Sequence, residues 1–321
     1  MSNLKAFQIK AGSKILDYQL GKKLNLDDIK YHFEKKYSVK KLYSGGRHIL
    51  GILEKNHRIL FLKLSTTEGI SELTKNEYRW NKEFNKLVLR KSSKFWVPEN
   101  EDSGFYQNNL FYLITDYFAG QLLALIPEKS KPSPILLKSI PSIIELSELI
   151  QRLNLASLSV EENSRFRSSF LVKTNSWYEA IPEKTKKEYK LNNLLNFVKD
   201  SANSLQGKPR HGDFTPWHLI KLETGQLGLI DGEHAKKNGV EYYDIGYFIQ
   251  RVFSVLKNPI LAENILSHLS RRNYNLEKLR IILAARAIGG FLDESLKPFP
   301  DYKFSNNFKD WIIKISLNKS F

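Results

Sequence analysis

Cysteine is absent from the 321 residues, which excludes a disulfide framework, a thiolate nucleophile and any Cys-based zinc or iron–sulfur site. Any metal has to sit on oxygen or histidine. No apolar run approaches the roughly 18 residues that a membrane-spanning helix needs, and Met1–Leu20 lacks the continuous apolar core of a secretory signal. A soluble, cytoplasmic protein is the expectation. No zinc-finger, bZIP or RNP pattern occurs, nor His-Glu-x-x-His, Gly-x-Ser-x-Gly or Walker A, so the common nucleic-acid modules, a zincin, a serine-hydrolase elbow and a P-loop site all lack their signatures.

Acidic residues are scarce. Against 34 Asp and Glu stand 50 Lys and Arg, a formal charge of +16, which favours contact with phosphates or other anions. The basic residues are spread from Lys5 to Lys319 rather than gathered in a tract, so they read as a solvated basic surface and assign neither nucleic acid nor membrane as a partner. Hydrophobic content of 41% with 26% charged residues and no low-complexity tract or repeat describes a globular chain, and its length suits two lobes. Nothing in the sequence speaks to oligomeric state.

The pattern changes near residue 120. Ser38–Ser44, Ile49–Glu54 and Arg58–Leu64 are short β-favouring runs separated by Ser44-Gly45-Gly46 and Lys55-Asn56-His57, which predicts successive antiparallel hairpins. A helix is expected from about Ser71 to Lys91, then a β-run from Asn109 to Tyr117. Residues 1–36 read as an added N-terminal piece, 37–117 as a β-rich lobe and 118–321 as a helical lobe. In the latter, apolar residues recur at helical spacing through Ile143, Leu146, Leu149, Ile150 and Leu153, and again over Leu191–Phe197. The stretch from Ser159 to Lys190 reads as loops with short helices.

Polar groups interrupt apolar strands at Arg210-His211-Gly212-Asp213-Phe214-Thr215-Pro216-Trp217-His218, and a predicted hairpin then leads to Asp231-Gly232-Glu233. This places two carboxylates at the mouth of a cleft on rigid supports. Such an arrangement suits phosphoryl transfer, in which a protein orients a hydroxyl and holds Mg²⁺ against phosphates. Two carboxylates about 4 Å apart at an effective dielectric near 20 repel by roughly 4 kcal/mol, which a divalent cation reverses.

This pattern, His211-Gly212-Asp213, a polar residue at 218, then Asp231-Gly232-Glu233, resembles the aminoglycoside phosphotransferase and choline kinase family. The resemblance implies a protein-kinase-like α+β fold with a small antiparallel β-rich lobe and a larger helical one. It further implies Asp213 as catalytic base, Asp231 as metal ligand and His211 as a buttress of the loop. Where the family usually has Asn this chain has His218, so three outcomes stay open: His218 ligates Mg²⁺ or Mn²⁺, one metal suffices, or metal chemistry is weakened.

The parts that a nucleotide site needs occur in order upstream. Gly45 and Gly46 let backbone N–H groups approach phosphate, or simply turn a hairpin. Lys63 is a charge within an apolar strand, either facing water at an edge or paired. Glu77 falls on the stripe Leu73, Glu77, Trp80, Phe84, Leu87, which favours pairing with Lys63 over use as the last residue of a Thr74-x-x-Glu77 capping box. Glu72 is the reserve partner. Asp116 and Tyr117 sit where the family has its interlobe hinge, whose backbone would bind adenine, and Asp244 is expected to brace the catalytic loop. The resulting expectation is transfer of the γ-phosphoryl of ATP, or GTP, to a hydroxyl of a sugar, amino alcohol or related metabolite. The high positive charge argues against a polycationic aminoglycoside. The alternative is a pseudokinase that binds a nucleotide or a partner.

Overall fold

The computed structural model describes residues 5–89, 93–125, 132–155 and 165–315. A hairpin of β1 (Gln8–Ala11) and β2 (Lys14–Asp17) leads to α1 (Leu26–Glu34), whose first turn is capped by Asn25 accepting from the Asp27 amide. Three antiparallel strands follow, β3 (Ser38–Gly45), β4 (His48–Lys55) and β5 (Arg58–Ser65). Leu60, Leu62 and Leu64 alternate along β5 toward one face and bury against Ile49 and Leu53.

Next comes α2 (Glu68–Leu87), capped by the Thr67 hydroxyl, which accepts from the Ile70 amide. The helix therefore starts before Ser71, outside the sequence expectation, and stops short of Lys91. Thr74 lies in its interior and donates back to the Ile70 carbonyl, so it caps nothing. After β6 (Phe95–Trp96), β7 (Asn100–Tyr106) pairs with β8 (Leu110–Asp116), giving a five-stranded antiparallel sheet of order β3-β4-β5-β8-β7. β7 escaped the sequence reading because its Asn-Glu-Asp-Ser-Gly start is polar, as an outer strand permits.

The larger lobe opens with β9 (Gly120–Leu122) and α3 (Pro134–Ile150), with Pro134 in the first turn, where its missing N–H is not needed. Its helices α4 (Phe166–Ala180) and α5 (Glu183–Glu188) are more regular than the loops expected there, and α6 (Leu191–Ser201) follows. The weak periodicity of α4 is physical: it buries only Phe170, Thr174 and Trp177. A group of short strands, β10 (Gly207–Arg210), β11 (Leu219–Leu222), β12 (Leu227–Leu229) and β13 (Lys236–Val240), precedes α7 (Tyr243–Gln250), α8 (Pro259–Arg271), α9 (Leu276–Ser295) and α10 (Lys303–Ile315). α9 is the central post of this lobe, buried on nearly all sides through Ile282, Ala284, Ala285, Ile288 and Phe291, and it packs against α4, α6, α7 and α10.

Residues 5–36 pack against both lobes. Ile29 and Phe33 of α1 complete the core of the five-stranded sheet, Tyr18 packs with Ile70 and Leu73 of α2, and Ala6 joins the core of the larger lobe. The hairpin can press so closely on α2 because residue 69 is glycine: a Cβ there would lie 2.1 Å from the Asp17 carbonyl oxygen. The two hairpin strands bury no side chain fully and α1 only two, which leaves little periodicity to read.

Candidate active site

β10 delivers the chain into the loop carrying Asp213, and the loop is held from below. The buried Asp244 carboxylate, at the start of α7, accepts from the His211 amide at 2.7 Å and the Gly212 amide at 2.8 Å. Burial pushes this carboxyl up to about 6 despite those two bonds. Asp244 thus braces the loop, as the sequence reading expected. His211 is buried against Trp80, with ring centroids 5.3 Å apart, and burial lowers its imidazole to about 3, so it is neutral.

Gly212 has φ +87°, and a Cβ on it would lie 2.2 Å from the His234 carbonyl oxygen. Both facts demand glycine. Gly212→Ala is expected to cost about 1–3 kcal/mol and to displace Asp213. Thermal melting with parallel turnover measurements checks this; an unchanged melting temperature would contradict the packing argument.

His218 joins the two aspartates. Its Nδ1 is 2.9 Å from the Asp213 main-chain oxygen and 3.7 Å from Asp213 Oδ2, while its Nε2 is 3.3 Å from Asp231 Oδ2. With an oxygen facing each nitrogen, both nitrogens are best protonated. Burial opposes that charge, but the Asp213 and Asp231 carboxylates outweigh it and raise the imidazole above its ordinary value. Asp231 itself lies two residues beyond the end of β12 rather than in the strand, in a left-handed conformation with φ 68° that swings its side chain back toward the loop.

From the smaller lobe, Lys63 of β5 reaches into the same cluster. Its Nζ lies 2.6 Å from Glu77 Oε2, 2.6 Å from Asp231 Oδ1 and 2.7 Å from Glu233 Oε1. Glu233 also lies 3.1 Å from Arg47 and 3.0 Å from His48 Nε2. Burial would push these acids up, yet Lys63 outweighs it and holds Asp231 and Glu233 well below the usual carboxylate range. Glu77 shares the same ammonium with both, and burial pushes it up. The donor atoms of Asp213, His218 and Asp231 fall within 4.8 Å of one another, as do those of Glu77, Asp231 and Glu233. A cluster so rich in carboxylate oxygen, with one imidazole, fits a hard or borderline divalent cation.

Glu233, Arg47 and His48 were given no role from sequence. The third position of Asp231-Gly232-Glu233 was the one available signal; a basic pair after Gly-Gly carries none. Gly45 closes β3 opposite His48, and Gly46, with φ 75°, begins the two-residue turn. At the expected hinge the two amides are already engaged. The Asp116 amide donates to the Glu99 carbonyl and the Tyr117 amide to the Ile59 carbonyl, so neither N–H is left for adenine, because the sheet continues to this point. The Asp116 carboxylate accepts from the Glu99 amide at 2.6 Å, a structural task.

No protein-family model matches the sequence, and no curated protein is matched. Solved structures are. The aminoglycoside phosphotransferase APH(4)-Ia superposes with TM-score 0.68 at 16% identity, covering 90% of this chain and 98% of that one. APH(2")-IIia, in a GDP and kanamycin complex, gives 0.61 at 13% identity over 93% and 100%. Choline kinase LicA from Streptococcus pneumoniae gives 0.53 at 17% identity over 90% and 97%. The chain therefore has the two-lobed, kinase-like α+β fold shared by aminoglycoside phosphotransferases and choline kinase.

Proposed function

We propose that the chain is an ATP-dependent small-molecule kinase that transfers the γ-phosphoryl group to a hydroxyl of a sugar, amino alcohol or related metabolite. One observation carries this reading: Asp213 and Asp231 are bridged by His218, while Lys63 reaches Asp231 from the other lobe and is paired with Glu77. In this reading residues 37–117 supply the nucleotide half and 118–321 the catalytic half. A kinase-fold neighbour crystallised with ADP and hygromycin B supports it.

Lys63, oriented by Glu77, holds the α- and β-phosphates, with the Gly45-Gly46 turn beside them. Asp213 orients the acceptor hydroxyl and takes its proton as the new O–P bond forms and the bond from the γ-phosphorus to the β-bridging oxygen breaks. Asp231 and His218 would hold Mg²⁺ or Mn²⁺, which when bound neutralises charge on the β- and γ-phosphates. To serve as a ligand His218 would have to be neutral at Nε2, since one lone pair cannot serve both a proton and a cation.

A thermal-shift series with ATP or GTP, with and without Mg²⁺ or Mn²⁺, tests this together with ADP release across hydroxylated acceptors. Metal-dependent stabilisation and acceptor-dependent ADP release are expected. The His218 imidazolium lying where a cation would sit favours the pseudokinase as second reading, and metal-independent nucleotide binding without turnover would establish it. His218→Asn supplies an amide oxygen in place of nitrogen. It is expected to raise the ratio of Mg²⁺- to Mn²⁺-supported turnover about tenfold, and an unchanged ratio would remove His218 from the ligand set.

A further inference from the structure

Beside Asp213 opens a cavity of about 600 Å³, walled by α4, β13, α7 and α9 and roofed by the segment around Ala6 and Tyr18. That volume suits one or two sugar rings. Its charges are lopsided. The acids lining it other than Asp213 are already matched: Glu72 lies 2.6 Å from Lys75, Glu233 lies beside Arg47 and Lys63, and Asp293 lies 2.7 Å from Arg251. Lys173, Arg210 and Arg286 also line it, and among the described residues none of the three has a carboxylate within ion-pair distance.

These cations are held by aromatic faces and neutral oxygens instead. The Arg286 guanidinium, 4% exposed, stacks 3.7 Å from the Tyr247 ring centroid and 4.7 Å from that of Trp177. Arg210 lies 3.8 Å over Tyr243. Lys173 donates to the Ala6 carbonyl and the Tyr18 hydroxyl, and Arg286 donates to the Tyr243 hydroxyl at 3.3 Å. Stacking fixes the plane of a guanidinium while leaving its edge to grip an oxyanion.

Resting on the kinase reading, we infer that the phosphoryl acceptor is a small hydroxylated anion, a phosphorylated or carboxylated sugar, whose anionic group is gripped by Lys173, Arg210 and Arg286 while its hydroxyl faces Asp213. The electrostatics agree. Burial, with repulsion from Lys236, Arg210 and Arg286, lowers the Lys173 ammonium to about 7; an arriving anion reverses that repulsion, so binding near pH 8 takes up a proton.

Calorimetric titration of the full chain, with Mg²⁺ and a non-hydrolysable ATP analogue present, tests the inference with four probes: glucose 6-phosphate, glucuronate, glucose and glucosamine. At least one anion is expected to bind roughly ten- to a hundredfold more tightly than glucose, with glucosamine weakest, and which anion wins separates phosphate from carboxylate recognition. Arg286→Met should erase most of that preference without altering affinity for the nucleotide analogue. Should this buried substitution unfold the chain, Lys173→Met provides the second arm: it is expected to weaken anion binding and to abolish proton uptake, read as the dependence of heat on buffer ionisation enthalpy. Equal or tighter binding of glucose or glucosamine, or an anion preference untouched by Lys173→Met, overturns the inference. Failure of the kinase reading looks different: the nucleotide analogue itself does not bind, whatever the sugars do.

Discussion

Replacing Asp213 by Asn is expected to slow phosphoryl transfer by about 10² to 10⁴-fold, the usual contribution of a positioned general base, while nucleotide affinity stays within about twofold. The change is close to isosteric, and the geometry around it does not depend on the carboxylate. The short contact from His218 reaches the main-chain oxygen of Asp213, and the loop is suspended from Asp244 through amides of His211 and Gly212. What the amide loses is basicity, together with one of the negative charges that raise His218. Steady-state kinetics paired with calorimetric nucleotide binding give the answer, and wild-type turnover in the variant would remove Asp213 from the chemistry.

Lys63→Met is expected to have the largest effect on stability, about 3–5 kcal/mol, because it strands buried charges that share this one ammonium. Glu77, Asp231 and Glu233 all lie within 2.7 Å of Lys63 Nζ, and Arg47 is the remaining permanent cation beside Glu233. In the wild type Asp231 and Glu233 are held below their unfolded values, so the stability they contribute is present at neutral pH and is lost as pH falls through their folded pKa values. Without Lys63 the sign inverts: burial raises the carboxyls, the folded chain binds protons more readily than the unfolded one, and the penalty is relieved on acidification. The difference between variant and wild type in urea unfolding should therefore be larger near pH 8 than near pH 5. Divalent cation should recover more stability in the variant than in the wild type. A pH-independent difference would mean that the site is held by packing rather than charge.

What could be read in advance followed the strength of the local signal. The strands flanking Gly45-Gly46 and Lys55-Asn56-His57 are short, apolar and cleanly punctuated, and the structure has strands there. Glu77 was legible as a carboxylate on an apolar stripe, and its side chain lies against Lys63. The role of Glu233 was not, because its partners Arg47, His48 and Lys63 come from more than 150 residues away and nothing local marks them. That the amides of Asp116 and Tyr117 are spent in the sheet was not legible for a related reason: position along a family pattern does not reveal an amide's partner. The cationic cavity was visible only as an undifferentiated excess of Lys and Arg, since its members are contributed by α4, the end of β10 and α9.

Residues 5–20 tie the two halves of the molecule together. Tyr18 is anchored on α2 beside Ile70 and Leu73, while Lys173 on α4 grasps both the Ala6 carbonyl and the Tyr18 hydroxyl. A clamp of this kind, spanning α2 and α4 through one short segment, limits how far the two lobes can part without breaking the lysine contact. A shortened chain starting at residue 37 would thus lose its latch along with its tail.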